Sequence, residues 1–246
     1  MSVPQKLRCQ IGRIIDHGNN VYTIDLKPER LIPRFSPGQF LHLAIDNYDP
    51  SAFWPDSRVF SIASSPLARD DLRISYSVKG RFTARMEREL HEGKWVWVKL
   101  PYGEFLVNNS TDVVLFAGGT GITAFTAYLG ALNAGFRNKV YLVYGARNPD
   151  LLLYRGLIEE RSKEANCLFR FYFAEERTEH YGRQLNSPGC EEFVGRVSVG
   201  EVWSKIGNSQ GATFYISGPA AMIEAVSLDL LNRGIKQEAI RTDAWE

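Results

Sequence analysis

Cysteine, histidine and net charge are the scarce quantities in this chain. Its 246 residues hold three cysteines, Cys9, Cys167 and Cys190, an odd number set far apart. That spacing gives neither a disulfide framework nor a CxxC-type zinc site. It also lacks the four clustered thiolates that a plant-type iron–sulfur centre needs. The four histidines, His17, His42, His91 and His180, form no HxxxH pair, so nothing marks a histidine-based metal site. A formal charge of +1 supplies no global field to draw the protein onto nucleic acid or anionic lipid. The opening MSVPQKLRCQ has no apolar signal core, and the expected location is cytoplasmic. No convincing nucleophile elbow or Ser–His–Asp arrangement stands out, which argues against hydrolase chemistry.

What is present is an ordinary foldable balance. Hydrophobic residues make up 44%, charged residues 23% and aromatics 12%. The length is long for one domain and comfortable for two. The one long uncharged run is VVLFAGGTGITAFTAYLGAL, residues 113–132. By length alone it could cross a bilayer. Gly118, Gly119 and Gly121 would cripple a lone spanning helix, and no Lys/Arg cluster flanks the run. It reads as strand, turn, helix, with no membrane span.

The first part of the chain reads as β structure. LRCQIGRII (7–15) and VYTIDLK (21–27) flank a Gly18-Asn19-Asn20 turn. QFLHLAI (39–45), RVFSIAS, LRISYSVK and KWVWVKL follow, each bounded by Pro, Gly or Asp. Six short strands predict a small antiparallel β-barrel. FTARMERELH (82–91) is its one helix, with Phe82, Met86 and Leu90 on one face. After about residue 110 strands alternate with helices, expected at 122–135, 150–164 and 219–233, which predicts βαβ units around a parallel sheet. The boundary falls in Asn108-Asn109-Ser110-Thr111, giving domains 1–109 and 110–246. Residues 175–196 read as a long loop.

Taken singly, the candidate motifs have plain explanations. Gly119-x-Gly121-x-x-Ala124 fits a loose dinucleotide turn but also any tight strand–helix connection, and no acid follows at the end of the next strand, Tyr144-Gly145-Ala146-Arg147. Arg58-Val59-Phe60-Ser61 offers a phosphate clamp, a flat ring and a hydroxyl, or is simply a strand. Gly80-Arg81-Phe82-Thr83 opens the helix, where N–H groups and a Thr hydroxyl suit an anion or a cap.

Their order is more specific. RVFS, GRFT, PYGEF, GGTGIT, YGARNPDLL and SGPAAM, spread over residues 58–222, resemble the ferredoxin–NADP reductase superfamily. Its flavin barrel carries R-x-[YF]-[ST], G-x-x-[ST] and P-x-G-x-F; its nucleotide domain carries G-G-T-G-I-[TA] and C-G-P. The resemblance implies an FAD-binding barrel and an NAD(P)-binding α/β domain. Arg58 would meet the flavin phosphate, Phe60 would pack beside the isoalloxazine, and Ser61 would lie near N5. Gly80, Phe82 and Thr83 would form the pyrophosphate turn. Gly118, Gly119, Thr120, Gly121 and Thr123 would make the nicotinamide shelf, completed by Gly218, Pro219 and Met222. Gly145 and Arg147 would touch the nucleotide's ribose or phosphate. Ser61, Ser217 and Trp245 are the implied catalytic candidates, Trp245 from the acid-x-aromatic end Asp243-Ala244-Trp245. Three positions depart from the pattern: Ser217 replaces Cys, Ala124 replaces Pro and Phe60 replaces Tyr.

The implied activity is hydride transfer from NAD(P)H to FAD (FMN less favoured), with electrons passed to a separate acceptor such as ferredoxin, flavodoxin or an oxygenase component. The cofactor supplies the chemistry, and the protein aligns the two rings face to face. Arg147 and Arg196 favour NADPH over NADH, Glu175 and Glu176 oppose it, and the reading leans to NADPH. Two other functions remain in view: a reductase of free flavin or ferric complexes, and a non-catalytic flavin- or nucleotide-binding regulatory module.

Overall fold

The computed structural model describes residues 3–176, 188–207 and 209–243. Trp245, His180 and positions 177–187 of the expected loop lie outside them. The chain forms two compact units. One runs to Leu106 and takes in Thr126–Tyr128; the other comprises Val107–Phe125 and the chain from Leu129 onward.

The first unit contains strands β1 (Gln5–Asp16), β2 (Val21–Pro28), β3 (Phe40–Ala44), β4 (Arg58–Ser61), β5 (Leu72–Ser77) and β6 (Trp95–Tyr102), with helix α1 (Arg81–Glu89). Their order is β4-β3-β6-β1-β2-β5, antiparallel throughout. Alternation decides which face is buried: Leu7, Cys9 and Ile11 on β1, Leu72, Ile74 and Tyr76 on β5, and Val96, Val98 and Leu100 on β6 turn inward. The β1–β2 turn needs three successive left-handed residues, and Gly18, Asn19 and Asn20 adopt φ of 76°, 52° and 61°. Just past β4, Ala63 N–H donates to Arg73 C=O at 2.9 Å, so the sheet nearly closes into the expected barrel and little edge is left open. Phe82, Met86 and Leu90, spaced by four, bury the inner face of α1.

Two barrel histidines give this unit a pH dependence. Burial, with a smaller push from Lys99, holds the His42 imidazole below its ordinary value. Burial does the same to His17 against the pull of Asp16. A histidine with a lowered folded pKa binds its proton more readily when unfolded. Its contribution is therefore present above about pH 6.5 and lost as pH falls towards the folded value. The thermal midpoint should drop between about pH 7.5 and 5.5, and His42→Gln should flatten that drop. A midpoint insensitive to pH over this window would show that the neutral imidazoles do not matter.

The second unit contains β7 (Val113–Gly118), β8 (Val140–Ala146), β9 (Leu168–Ala174), β10 (Cys190–Val194), β11 (Thr213–Ser217) and β12 (Ile240–Asp243). Its helices are α2 (Thr123–Gly130), α3 (Arg155–Glu164), α4 (Val199–Val202) and α5 (Ala220–Asn232). The order β10-β9-β8-β7-β11-β12 is parallel throughout. β7 and β8 are buried at every position, as strands covered on both faces must be. The chain builds outward from β7 to β10, then returns to the other side of β7 with β11. That reversal makes the carboxyl ends of β7 and β11 the topological switch point, where such sheets bind ligands.

Three expectations need correction. α2 ends at Gly130, short of residue 135, because Asn133 turns its side chain onto Gly135 N–H at 2.8 Å and competes with the helix. The helix expected from residue 150 begins at Arg155: Asn148 caps a short 3₁₀ turn, and Tyr154 at φ 60° interrupts the run. Strand β10 lies inside the expected loop 175–196. Its two glutamates pair with Lys205 and Arg155, so an edge strand is written in polar letters. No helix among the described residues is long and apolar enough to cross a membrane.

Candidate functional site

In the barrel unit the structure gathers Arg58 and Gly80–Thr83. The Arg58 guanidinium lies 5.3 Å from the centre of the Phe82 ring, in the first turn of α1. It also donates to Asp56 Oδ1 at 3.1 Å and to Ser57 C=O at 2.9 Å. The Arg58–Asp56 pair is more than half exposed on both sides, so it is weak and open to exchange for a ligand anion. Gly80 precedes α1 at φ −147°, an extended conformation that any residue adopts, and a Cβ there would meet nothing within 4 Å. Neither backbone nor packing requires glycine at this position. Its effect is to leave the first N–H groups of α1 approachable, at the positive end of the helix. Arg81 is exposed beside it.

The Thr83 hydroxyl is engaged within the turn. It accepts from Lys79 N–H at 3.0 Å and Gly80 N–H at 3.1 Å, and donates to Gly80 C=O at 3.1 Å. It therefore shapes the loop that presents the N–H groups. Phe60 is half-buried, edge-on to Tyr76 with centroids 6.0 Å apart. Burial, then the charges of Tyr22, Glu87 and Asp16, push the Tyr76 phenol upward, so it stays neutral. Ser61 is half-buried at the end of β4, opposite Phe40 on β3. The PYGEF turn packs onto the strand start: Gln39 Nε2 donates to Gly103 C=O at 3.2 Å, and a Cβ on Gly103 would come within 2.7 Å of the Phe40 ring.

In the α/β unit the structure brings Gly118, Gly121, Ser217, Gly218, Pro219 and Met222 together at the switch point. A Cβ on Gly121 would stand 2.3 Å from Ser217 O, and one on Gly118 would stand 2.7 Å from Met222 Sδ. A Cβ on Gly218, at φ 153°, would meet Met222 Cε at 2.8 Å. These three glycines therefore let two turns close on one another. Gly119 is different: its φ is +53° and nothing lies within 4 Å of its Cβ position, so that face of the turn is open. Thr120 is half-exposed beside it, and its carbonyl accepts from the buried Thr123 hydroxyl at 2.8 Å. Ala124, where Pro was expected, sits in the first turn of α2, where either residue is helical.

Ser217 is buried, and its hydroxyl donates to the buried Asp243 Oδ2 at 3.0 Å. Sequence reading singled out Ser217 but missed this partner, because the pairing depends on the parallel register of β11 and β12. Gly145 lies directly across the β7–β8 ladder from Gly118, and its Cβ position is 2.5 Å from Val197 Cγ2. Arg147 is exposed just past β8. Arg196 is tied to Glu175 at 3.2 Å, so the cation and the acid weighed against each other form one exposed pair. The letters G-x-S-x-G do occur at 207–211, but ahead of β11 and not between a strand and a helix, so they make no nucleophile elbow. Among the described residues no group of three or more His, Cys, Asp or Glu side chains is placed to hold a metal.

Comparison with known proteins bears on the fold and on the nucleotide-binding unit. Residues 115–228 match the family model described as the oxidoreductase NAD-binding domain. The chain is 27% identical over 234 residues to the reductase component DmpP of phenol 2-monooxygenase from Pseudomonas sp. (strain CF600), covering 91% of this chain and 61% of that one. It is 28% identical over 222 residues to a flavohemoprotein of Rhizobium meliloti (strain 1021), covering 86% and 53%. It thus spans roughly half to two thirds of the length of these relatives. Among solved structures, the Amycolatopsis cytochrome P450 reductase GcoB superposes with a TM-score of 0.80 at 18% identity, covering 98% of this chain and 70% of that one. The flavohemoglobin of Malassezia yamatoensis, with bound FAD and heme, gives 0.79 at 18%, covering 98% and 60%. The barrel unit, the parallel sheet reversing at its glycine turns and these relatives together make the chain similar to the ferredoxin reductase-like FAD- and NAD-binding oxidoreductases, with residues 115–228 matching the oxidoreductase NAD-binding domain.

Proposed function

We propose that this chain is an NAD(P)H-dependent flavin oxidoreductase that uses FAD and hands electrons to a separate acceptor. The observation that carries the reading is Gly80, a glycine that neither conformation nor packing requires, beside an exposed arginine at a helix N-terminus. That combination fits a flavin phosphate. Bound FAD supplies the two-electron chemistry, accepting hydride from reduced nicotinamide and releasing electrons onward.

The protein's own part is binding and alignment. Arg58 exchanges its weak contact with Asp56 for phosphate oxygens, and the α1 N–H groups supply the remaining donors. Phe60 offers a flat apolar edge and Ser61 a hydroxyl to the ring system. In the other unit, the open face at Gly119 and Thr120 receives the nicotinamide end, and Ser217 keeps its hydroxyl oriented through Asp243. Arg147 and the Arg196–Glu175 pair meet the nucleotide's ribose or phosphate and set the choice between NADPH and NADH. The acceptor is a ferredoxin, a flavodoxin or an oxygenase component. Two similar proteins, named as the reductase component of phenol 2-monooxygenase and the ferredoxin reductase component of 3-ketosteroid-9-alpha-monooxygenase, support the last of these. The three thiols, all free, suit the cytoplasm.

Arg58→Ala should weaken FAD binding by about 10- to 100-fold, the worth of a charge-assisted hydrogen bond. Titration of the apo-protein followed by flavin fluorescence checks this, and unchanged affinity would remove Arg58 from the site. An acceptor screen under NADH and NADPH then separates the functions. Reduction of a protein carrier supports the proposal, and reduction of free flavin or ferric complexes alone would replace it.

A further inference from the structure

A formal charge of +1 conceals a local excess of cations on the outward face of the barrel sheet. Alternation on β1 turns Leu7 and Cys9 inward and leaves Lys6 and Arg8 exposed. On β6 it turns Val96 and Val98 inward and Trp95, Trp97 and Lys99 outward. The register sets Lys6 directly opposite Lys99, and His42 of β3 stands opposite the same lysine on its other side. Two like charges facing each other across an antiparallel pair cost stability. Their contacts are with rings and a neutral oxygen. Lys6 Nζ donates to Tyr48 OH and lies 4.7 Å from the centre of that ring, and Lys99 Nζ lies 5.3 Å from the centre of the Tyr102 ring. Arg8 stacks on Trp95 at 4.4 Å. Arg30, in the segment after β2, donates to Lys6 C=O at 3.2 Å. The acid beside them, Glu29, uses a carboxylate oxygen to accept Arg8 N–H at 3.1 Å.

Apolar side chains border this charged centre. Val3, just before β1, is 78% exposed, Leu31, next to Arg30, is 59% exposed, and Trp95 is 39% exposed. An interface between two proteins has the opposite layout, with a core depleted of charge inside a polar rim. Cations at the centre and apolar tips beside them match a lipid surface, where cations meet phosphates and apolar side chains enter the acyl boundary. We propose that the outward face of β1 and β6 docks peripherally onto an anionic membrane, with Lys6, Lys99, Arg8 and Arg30 at the headgroup phosphates and Leu31 and Trp95 among the upper acyl chains. The phosphates supply the counter-charge that the facing lysines lack. This docking is independent of the flavin reading above.

The test co-sediments the purified protein with vesicles of phosphatidylcholine alone and with vesicles holding about one third phosphatidylserine. Wild type should bind the mixed vesicles only, and about 1 M salt, which screens charges beyond about 3 Å, should release it. Lys6→Gln combined with Lys99→Gln should lower the partition coefficient about 25-fold, about fivefold for each charge. The same variant should keep or raise its thermal midpoint, because the like-charge contact is gone. Brominated acyl chains should quench tryptophan fluorescence, and Trp95→Phe should remove most of that quenching. Binding to neither vesicle, equal binding to both, or mixed-vesicle binding unchanged in the double variant would overturn the proposal. Quenching that persists in Trp95→Phe would overturn it too. So would binding to polyglutamate without binding to vesicles, which would mark a surface for an acidic protein.

Discussion

Gly121→Ala separates the two turns at the switch point, lowering stability by about 3 kcal/mol and nucleotide affinity by more than about 10-fold. The added carbon would stand 2.3 Å from Ser217 O and 2.7 Å from Gly218 N, and both are backbone atoms. A flexible side chain can rotate away from such an overlap, but a strand end hydrogen-bonded to β7 and β12 cannot. One of the turns must move, and with it the face that Gly119 leaves open. Gly119→Asn is the control: its φ of +53° suits asparagine and its Cβ position is clear, so stability should change by less than about 1 kcal/mol. Urea unfolding and nucleotide titration of both variants check the contrast. Equal losses would mean that the glycines serve the ligand and not each other.

The second large effect lies away from the site. Glu159→Leu should cost about 3 kcal/mol in urea unfolding. Arg170 on β9 is 2% exposed, and its Nε faces Glu159 Oε1 of α3 at 3.2 Å. The same carboxylate accepts from Tyr172 OH at 2.9 Å. Removing it takes the carboxylate from a buried guanidinium, which keeps only neutral carbonyl acceptors such as Leu168 C=O and Pro188 C=O at 3.3 Å each, and from a phenol that burial already holds neutral. Combining Glu159→Leu with Arg170→Met should cost less than the two single changes added together, with a coupling of about 1–3 kcal/mol. Strict additivity would show that the pair does not bind α3 to the sheet.

These two cases mark where sequence reading reaches and where it stops. Alternating apolar residues in LRCQIGRII and LRISYSVK, and the unbroken VVLFA and KVYLVYG, declare their strands because one or both faces must be buried. The order of six short motifs carries the resemblance to the ferredoxin–NADP reductase superfamily. Sequence could not say that Gly118 and Gly121 make room for the β11 turn while Gly80 and Gly119 face open space, since all four are the same letter. Nor could it separate the Thr83 hydroxyl bound into its own turn from one aimed at a ligand. Ser217 stood out as a departure from the motif, but Asp243 became its partner only through strand register. The short edge strand β10 is not legible in the sequence for the same reason: its two glutamates find their partners across the fold.

Anaerobic titration of the FAD-loaded protein with NADH and NADPH, followed in the visible flavin band, tests the central claim most directly. The band should bleach promptly, reaching its end point at about one equivalent of reduced nucleotide per bound flavin, since each hydride carries two electrons. A protein that stays colourless after incubation with FAD, or one whose bound flavin is not bleached by either nucleotide, would contradict the account.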